Sequence, residues 1–184
     1  DARLFDLIGR QSVSDPIIAI LELVKNSYDA DATEVSIIFE NPRSPDAKIV
    51  VRDNGHGMDI DEISKKWMKI GTTDKIANPY TPKGRRKIGE KGIGRFALQK
   101  LCRKVSLLSE VSGDKKAYLL EIDWDKYLGG VTADSIKNPY KILSKKSEER
   151  GVRITLKNLR ERWNTEMIKQ VFNEIRMLHL PLGK

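Results

Sequence analysis

The sequence predicts a single α+β domain, on two observations. Four stretches have the apolar spacing of amphipathic helices, and five have the alternation or β-branched composition of strands. With 39% hydrophobic and 33% charged residues in a chain of 184, one sizeable core can be buried. The chain opens abruptly on Asp1, so we expect an excised domain at residues 1–180, with the start of a linker at 181–184.

The first predicted helix begins at Pro16, with Asp15 as its N-cap, and ends at Asp29. Strands are expected at 34–40, 48–53, 105–109, 116–124 and 152–156, and further helices at 59–69, 93–104 and 166–178. Residues 126–149 are polar and irregular, and no element is predicted there. Residues 71–91 are rich in glycine, proline, threonine and basic residues without an apolar period, which is typical of a functional lid.

Composition excludes several kinds of site. Cys102 is the one cysteine, so no internal disulfide can form, and two scattered histidines cannot assemble a zinc cluster. No apolar run approaches the roughly 18 residues of a membrane span, and no signal-peptide pattern opens the chain. These features predict a cytoplasmic protein with no membrane partner.

The net charge of +8 is concentrated in one segment. Residues 64–104 contain thirteen lysines and arginines but only two acidic residues, so this segment carries +11 and the rest of the chain −3. Such a basic segment predicts an anionic partner, which is a phosphate chain, a nucleic acid or an acidic protein. Aromatic residues suited to base stacking are nearly absent from it.

Three short motifs could carry chemistry. In the first helix Glu22, Asn26 and Asp29 are spaced i, i+4 and i+7, so they form a polar stripe about 10 Å long. That stripe is either a solvated helix face or one wall of a nucleotide site. The other two motifs contain glycines and lie at the end of a strand and at the start of a helix.

The strand-end motif runs from Asp53 to Met58, with Gly55 and Gly57 letting a flat ligand approach the backbone. An ionised Asp53 only accepts hydrogen bonds, so it would select the amino group of adenine and reject the carbonyl of guanine. Alone, this pattern is more often a simple turn.

The helix-start motif is Gly89-Glu-Lys-Gly-Ile-Gly94. Its free N–H groups and the helix dipole could bind phosphates, although the strand of a dinucleotide fold and the lysine of a P-loop are missing.

Taken in order, the three motifs resemble the GHKL ATPase superfamily, which includes the ninety-kilodalton heat-shock chaperones, MutL, gyrase B and the sensor histidine kinases. The resemblance is close from Glu22 to Ala97, loose at Gly151 to Leu156, and strongest to MutL and the chaperones. It implies the Bergerat ATP-binding fold, a two-layer α/β sandwich whose mixed sheet carries helices on one face. It also implies ATP or ADP and Mg²⁺ as ligands, and ATP hydrolysis that is weak in an isolated domain. Closure of the lid at about 71–91 would accompany ATP-dependent homodimerisation of the full-length protein.

The resemblance implies a role for each site residue. Glu22 would be the general base that activates water, Asn26 would bind Mg²⁺, and Asp53 would read adenine. The residues expected to line the base, sugar and phosphates are Asp29, Ala30, Gly55, Gly57, Met58, Gly71, Thr72, Thr73, Lys75, Gly89, Glu90, Lys91, Gly92, Ile93, Gly94, Arg95 and Phe96.

The chain departs from the superfamily pattern at two points. Many relatives have Gly-Thr in the last strand, where the threonine supports the adenine-reading aspartate, but this chain has Gly151-Val152. Relatives of the gyrase, MutL and chaperone branch receive a catalytic lysine from a second domain, and nothing after Leu178 could be that domain.

Two other functions are left open. Histidine kinases usually have asparagine at the position of Glu22, so an ATPase is favoured over a phosphotransferase. The basic segment 64–104 would instead suit a nucleic-acid or protein interaction module that uses ATP only as a switch, or not at all.

Overall fold

A computed structural model describes residues 15–64, 78–88, 94–127 and 138–178, with only the backbone at 94–97 and 127. Four helices are assigned in these ranges: α1 Pro16–Asp29, α2 Ile60–Glu62, α3 Gly94–Leu101 and α4 Thr165–Met177. Six strands are assigned: β1 Val35–Glu40, β2 Lys48–Asp53, β3 Cys102–Glu110, β4 Lys116–Asp123, β5 Tyr140–Ser144 and β6 Gly151–Leu159. A short 3₁₀ helix, Trp124–Tyr127, follows β4.

The six strands form one sheet in the order β1-β2-β6-β3-β4-β5. The resemblance implied a mixed sheet, but the five neighbouring pairs in the described part of the chain are all antiparallel. The reason is local: short turns join β1 to β2 and β3 to β4, and such connections permit only antiparallel pairing. Strand β6 then lies between these two hairpins and runs antiparallel to both.

The helices cover one face of the sheet. Alternate residues of β2, β3 and β6 are buried there, and they form one core with residues of α1, α3 and α4: Ile20, Leu23, Ile49, Val51, Leu98, Leu101, Val105, Leu107, Ile154, Leu156 and Val171. The opposite face carries exposed side chains such as Lys48, Arg52 and Arg153. The α+β class and the two-layer arrangement are therefore confirmed.

One predicted boundary is wrong and one strand was missed. The helix predicted at 93–104 ends at Leu101, because Cys102 already pairs with Leu159 of β6. The segment predicted as irregular contains β5, which lies at the edge of the described sheet and pairs there with β4 alone. All five residues of β5 are exposed, so it lacks the one-sided burial that makes a strand recognisable.

Helix α1 begins as predicted. The Asp15 carboxylate accepts a hydrogen bond from the N–H of Ile17 at 2.8 Å, and Pro16 takes a first-turn position. No helix among the described residues is long and apolar enough to cross a membrane. Cys102 is buried, and burial raises the pKa of its thiol to about 12, so it is not a reactive nucleophile.

Candidate functional site

Asp53 ends β2 on the helix-covered side of the sheet and is buried. Its Oδ1 accepts hydrogen bonds from the N–H groups of Gly55 at 2.9 Å and Val152 at 3.2 Å. The hydroxyl of Ser27 on α1 lies 2.9 Å from Oδ2 and donates to it. A carboxylate offers about four acceptor positions, so these three donors leave about one for a ligand. The free position suits an exocyclic amine.

In this chain Val152 stands where many relatives have the threonine that supports the adenine-reading aspartate. The structure shows that the Ser27 hydroxyl and the backbone N–H of Val152 donate to Asp53 here. Gly151 permits this contact, since its φ is +111° and a Cβ atom there would lie 2.0 Å from the carbonyl oxygen of Asp53. Sequence reasoning missed Ser27, although a serine close to the apolar stripe of α1 is a usable signal.

The glycine turn after Asp53 is fixed to β3. A Cβ atom at Gly57 would lie 2.2 Å from the carbonyl oxygen of Glu110, and its φ is +72°, so only glycine fits. The N–H of Met58 donates to Ser109 Oγ at 2.7 Å, and the Ser109 hydroxyl donates to the Met58 carbonyl at 2.8 Å. Ser109 is fully buried. Nothing in the sequence near Ser109 pointed to this contact.

Asn54 fixes the other side of the same turn. Its Oδ1 accepts from the N–H groups of Thr33 and Glu34 at 2.8 and 3.0 Å, and its Nδ2 donates to Thr33 Oγ1 at 2.9 Å. The backbone N–H of His56 donates to the Ala30 carbonyl at 3.0 Å. The turn is thus attached to the segment that follows α1, and the end of α1 and the end of β2 form one wall.

The polar stripe predicted on α1 has mixed surroundings. Glu22 is buried, and its Oε1 lies 2.7 Å from Nζ of Lys25. Asn26 is exposed, and its amide bonds to no other residue in the described ranges. Asp29 is buried and its Oδ1 accepts from the N–H of Ile88 at 2.9 Å. Of the three, Asn26 is therefore the one turned to solvent.

The described residues contain no group of three or more histidine, cysteine, aspartate or glutamate side chains that could hold a metal ion. Mg²⁺ keeps several waters and usually takes one or two protein ligands together with phosphate oxygens. The exposed amide of Asn26 supplies one neutral oxygen of the right kind.

Residues 78–88, which we call the arm, belong to the predicted lid and contact the end of α1. Asp31 has a φ of 59° and is buried. Its carboxylate accepts from the Thr81 hydroxyl at 2.6 Å and from the N–H of Lys83 at 3.1 Å. These bonds hold the arm against the helix.

Arg85 of the arm makes three further contacts. Its Nη1 donates to the carbonyl of Ala32 at 2.6 Å, its Nε is 3.9 Å from Asp31 Oδ1, and its guanidinium lies 5.1 Å from the centre of the Tyr28 ring. The lid sequence has no apolar period that would hold it against the core. In residues 78–88 polar contacts with Asp31 hold it instead, and Asp31 supplies a counter-charge to Arg85 within the protein.

Several predicted site residues have no described geometry. Those outside the described ranges are Gly71, Thr72, Thr73, Lys75, Gly89, Glu90, Lys91, Gly92 and Ile93. Gly94, Arg95 and Phe96 lie in α3, where only their backbone is described. The structure brings together Ala30, Asp53, Gly55, Gly57 and Met58, and places Glu22, Asn26 and Asp29 along the adjoining helix.

Comparison with known proteins identifies the family. Residues 14–150 match the family described as "Histidine kinase-, DNA gyrase B-, and HSP90-like ATPase". The chain belongs to this family. The GHKL resemblance is confirmed, and family members in general bind and hydrolyse ATP, typically with Mg²⁺.

Individual relatives share parts of the chain. It is 42% identical over 78 residues to a candidate type II restriction enzyme, HgiDII, of Herpetosiphon aurantiacus, covering 42% of this chain and 12% of that protein. It is 27% identical to the chaperone protein HtpG of Geobacter metallireducens, covering 84% of this chain and 25% of that protein. It is 29% identical to the mismatch repair protein MutL of Actinobacillus succinogenes, covering 69% and 18%.

A solved structure has the same fold. The N-terminal domain of a DNA repair protein superposes with a TM-score of 0.55 at 24% identity, covering 95% of this chain and 44% of that chain. Because this chain spans at most 25% of the length of the three relatives, they are proteins with much more chain than this domain.

Proposed function

We propose that this domain binds ATP with Mg²⁺ and hydrolyses it, within a longer protein whose action depends on the bound nucleotide. The observation that supports this most directly is the geometry of Asp53. Its buried carboxylate keeps about one acceptor position free beside a glycine turn that only glycine can form, in a member of an ATPase family. An adenine amino group satisfies that acceptor, whereas the guanine carbonyl would repel it.

The other residues take roles that match their surroundings. Gly55, Gly57 and Met58 would line the base, with Asp29 and Ala30 beside the sugar. Asn26 would bind Mg²⁺, and the bound ion would neutralise phosphate charge. Gly71, Thr72, Thr73 and Lys75, together with residues 89–96, would contact sugar and phosphates, as proposed from the family resemblance.

Glu22 would be the general base. It takes a proton from the attacking water, whose oxygen forms a bond to the terminal phosphorus. The bond from that phosphorus to the bridging oxygen breaks, and its electron pair leaves with ADP. A general base typically contributes about 10²- to 10⁴-fold in rate. Glu22→Ala should therefore abolish hydrolysis in the full-length protein while ATP binding stays nearly intact.

Lid closure over the nucleotide and dimerisation of the full-length protein are part of the proposal. The contacts of the arm with Asp31 limit which part of the lid would move, because residues 78–88 are already bonded to the segment that follows α1. The arm would then be the stationary base of the lid at 71–91. Nucleotide-dependent protection from hydrogen exchange would be confined to the flanking parts of the lid.

A titration of the full-length protein tests the proposal. ADP, GTP and a non-hydrolysable ATP analogue are each titrated calorimetrically with and without Mg²⁺. We expect both adenine nucleotides to bind, GTP to bind at least tenfold more weakly, and Mg²⁺ to strengthen binding of the ATP analogue most. Equal affinity for GTP would contradict the role of Asp53, and binding of none of them would contradict the function.

DNA is a second candidate ligand, and two observations favour it. Segment 64–104 carries +11, and two of the relatives are named for restriction and mismatch repair. We propose that a duplex would contact lysines and arginines of this segment other than Arg85, whose guanidinium already contacts Asp31 and Ala32. Binding of a labelled duplex at several salt concentrations tests this, because phosphate contacts give an affinity that falls steeply with salt.

A further inference from the structure

Lys25 follows Glu22 by three residues on α1, and its ammonium contacts the Glu22 carboxylate. The distance from Nζ to Oε1 is 2.7 Å, which is a short charge-assisted hydrogen bond. The side chains are 22% exposed at Lys25 and 11% exposed at Glu22. Fully exposed pairs with this spacing contribute little, but this pair is largely withdrawn from water.

The contact occupies only one oxygen of Glu22. In the part of the chain that the structure describes, Lys25 is the one partner of this carboxylate, and Oε2 has none. A general base must direct a free oxygen at the proton that it removes, within hydrogen-bond distance. Glutamate has three rotatable side-chain bonds, so a second contact is needed to hold that oxygen in place.

We propose that Lys25 is a positioning residue for the hydrolysis of ATP. It holds Glu22 by Oε1 and directs Oε2 towards the attacking water. This inference rests on the proposed function, because it requires Glu22 to be the base. In the reaction the water proton moves to Oε2 of Glu22, and Lys25 neither gains nor loses a proton. Its contribution is the orientation of Glu22, so it acts on the chemical step and not on nucleotide binding.

Asn26, the next residue, faces solvent and has no partner within the described ranges, whereas Lys25 is bonded back to the preceding turn. The lysine therefore points towards the Glu22 carboxylate and the asparagine towards solvent. The bond from Lys25 Nζ to Glu22 Oε1 is the observation that favours orientation of the carboxylate over direct phosphate binding.

The test uses the full-length protein with Lys25→Met, which removes the ammonium but keeps the length and the helix propensity of the side chain. Lys25→Arg is the conservative variant, because its guanidinium can still donate to Oε1. Lys48→Met is the matched control, since Lys48 is an exposed lysine at the start of β2, away from the site. For each variant we measure kcat and KM for ATP and the Kd of a non-hydrolysable ATP analogue.

We expect Lys25→Met to lower kcat about 10- to 100-fold, the scale of a misplaced catalytic group. The Kd of the analogue should stay within about twofold of the parental value by the same reasoning, which also shows that the variant is folded. Lys25→Arg should recover most of the lost kcat, and Lys48→Met should match the parent. In a Glu22→Gln background, adding Lys25→Met should change the residual rate by less than about twofold, because residues that act as a unit are not additive.

Three results would overturn the inference while leaving the proposed function intact. One is an unchanged or higher kcat in Lys25→Met. Another is a Kd that weakens in parallel with kcat, which would make Lys25 a phosphate ligand. The third is an equal loss with and without Glu22, which would make the two residues independent. A parent protein that binds ATP without hydrolysing it, or a Glu22→Gln variant with the parental rate, would instead refute the proposed hydrolysis, and the inference with it.

Discussion

Asp53 and Asp31 are both buried carboxylates at the wall formed by the ends of α1 and β2, but their partners differ. Asp53 accepts hydrogen bonds from two backbone N–H groups and one hydroxyl, all of them neutral. Asp31 accepts from a hydroxyl and a backbone N–H, and it also pairs with the guanidinium of Arg85. The charge of Asp31 is therefore compensated within the protein. No cation is bonded to Asp53 among the described residues.

We interpret this difference as the one between a structural carboxylate and a carboxylate placed to bind a ligand. A buried charge costs free energy unless it is paired, so an arginine beside it is the usual solution for stability. At Asp53 the protein supplies orientation without neutralising the charge, and the remaining acceptor position is open to a ligand. Each prediction below alters one side of this comparison, and they run from the largest expected effect to the smallest.

Removing the cation beside Asp31 should destabilise the fold. Arg85→Met leaves a buried carboxylate without its counter-charge, and we expect the free energy of unfolding to fall by about 2–3 kcal/mol, slightly below the range for a fully buried pair. Urea denaturation measures this, and hydrogen exchange should show lost protection at residues 78–88. Arg103→Met is the matched control, because its pair with Asp125 is exposed and should cost under about 1 kcal/mol. Equal losses of unfolding free energy in the two variants would show that the Arg85–Asp31 pair contributes no more than an exposed ion pair.

Changing the charge of Asp53 should affect binding more than stability. Asp53→Asn should weaken ATP binding by at least ~1.5 kcal/mol, the scale of a hydrogen bond to a charged group. The fold should lose under about 1 kcal/mol, because an asparagine oxygen can still accept from Gly55 and Val152. The Ser27 hydroxyl can then turn to the Leu23 carbonyl, 3.1 Å away. Calorimetry measures the loss of ATP affinity and urea denaturation the loss of stability in the same variant. A loss of stability larger than the loss of binding free energy would contradict the binding role of Asp53.

Ser27 should affect ATP binding through its hydrogen bond to Asp53. Ser27→Ala removes one of the three donors to the carboxylate, and we expect ATP affinity to fall by about 1 kcal/mol, the worth of one hydrogen bond. Ser106→Ala on β3 is the control, because it deletes a similar hydroxyl on the opposite face of the sheet. In a double-mutant cycle, Ser27→Ala should have little effect once Asp53 is asparagine. Additive losses would show that Ser27 acts independently.

Among these variants, the one that restores the family's threonine should change ATP affinity least. Val152→Thr recreates Gly-Thr in β6, but Asp53 Oδ1 already accepts from two backbone N–H groups. We therefore expect ATP affinity to change by less than about 0.5 kcal/mol, below the worth of one new hydrogen bond. A gain above about 1.4 kcal/mol, a tenfold change in Kd, would show that Ser27 and the backbone replace the threonine only in part.

Local chemistry explains why parts of the fold could be predicted. Helix α1 is bounded as expected, because its N-cap and apolar period lie within the helix itself. Strands β1 and β2 begin and end within one residue of the predicted positions, where apolar residues are followed by turn residues. Strand β5 was missed because an edge strand is defined by its partner, and β3 was placed three residues late because Cys102 pairs with β6.

The sequence by itself determined the family and supplied the core of the proposed site, because Glu22, Asn26, Asp53 and Gly57 belong to motifs whose spacing is local. Tertiary structure decided what surrounds them. Ser27 lies 26 residues from Asp53, and Ser109 lies 51 from Met58, so no local pattern could pair them. Tertiary structure decided the contacts of the arm in the same way. Thr81 and Arg85 look like lid residues in the sequence, and only the folded chain brings them, from 50 and 54 residues away, to Asp31, whose buried carboxylate needs a donor and a counter-charge.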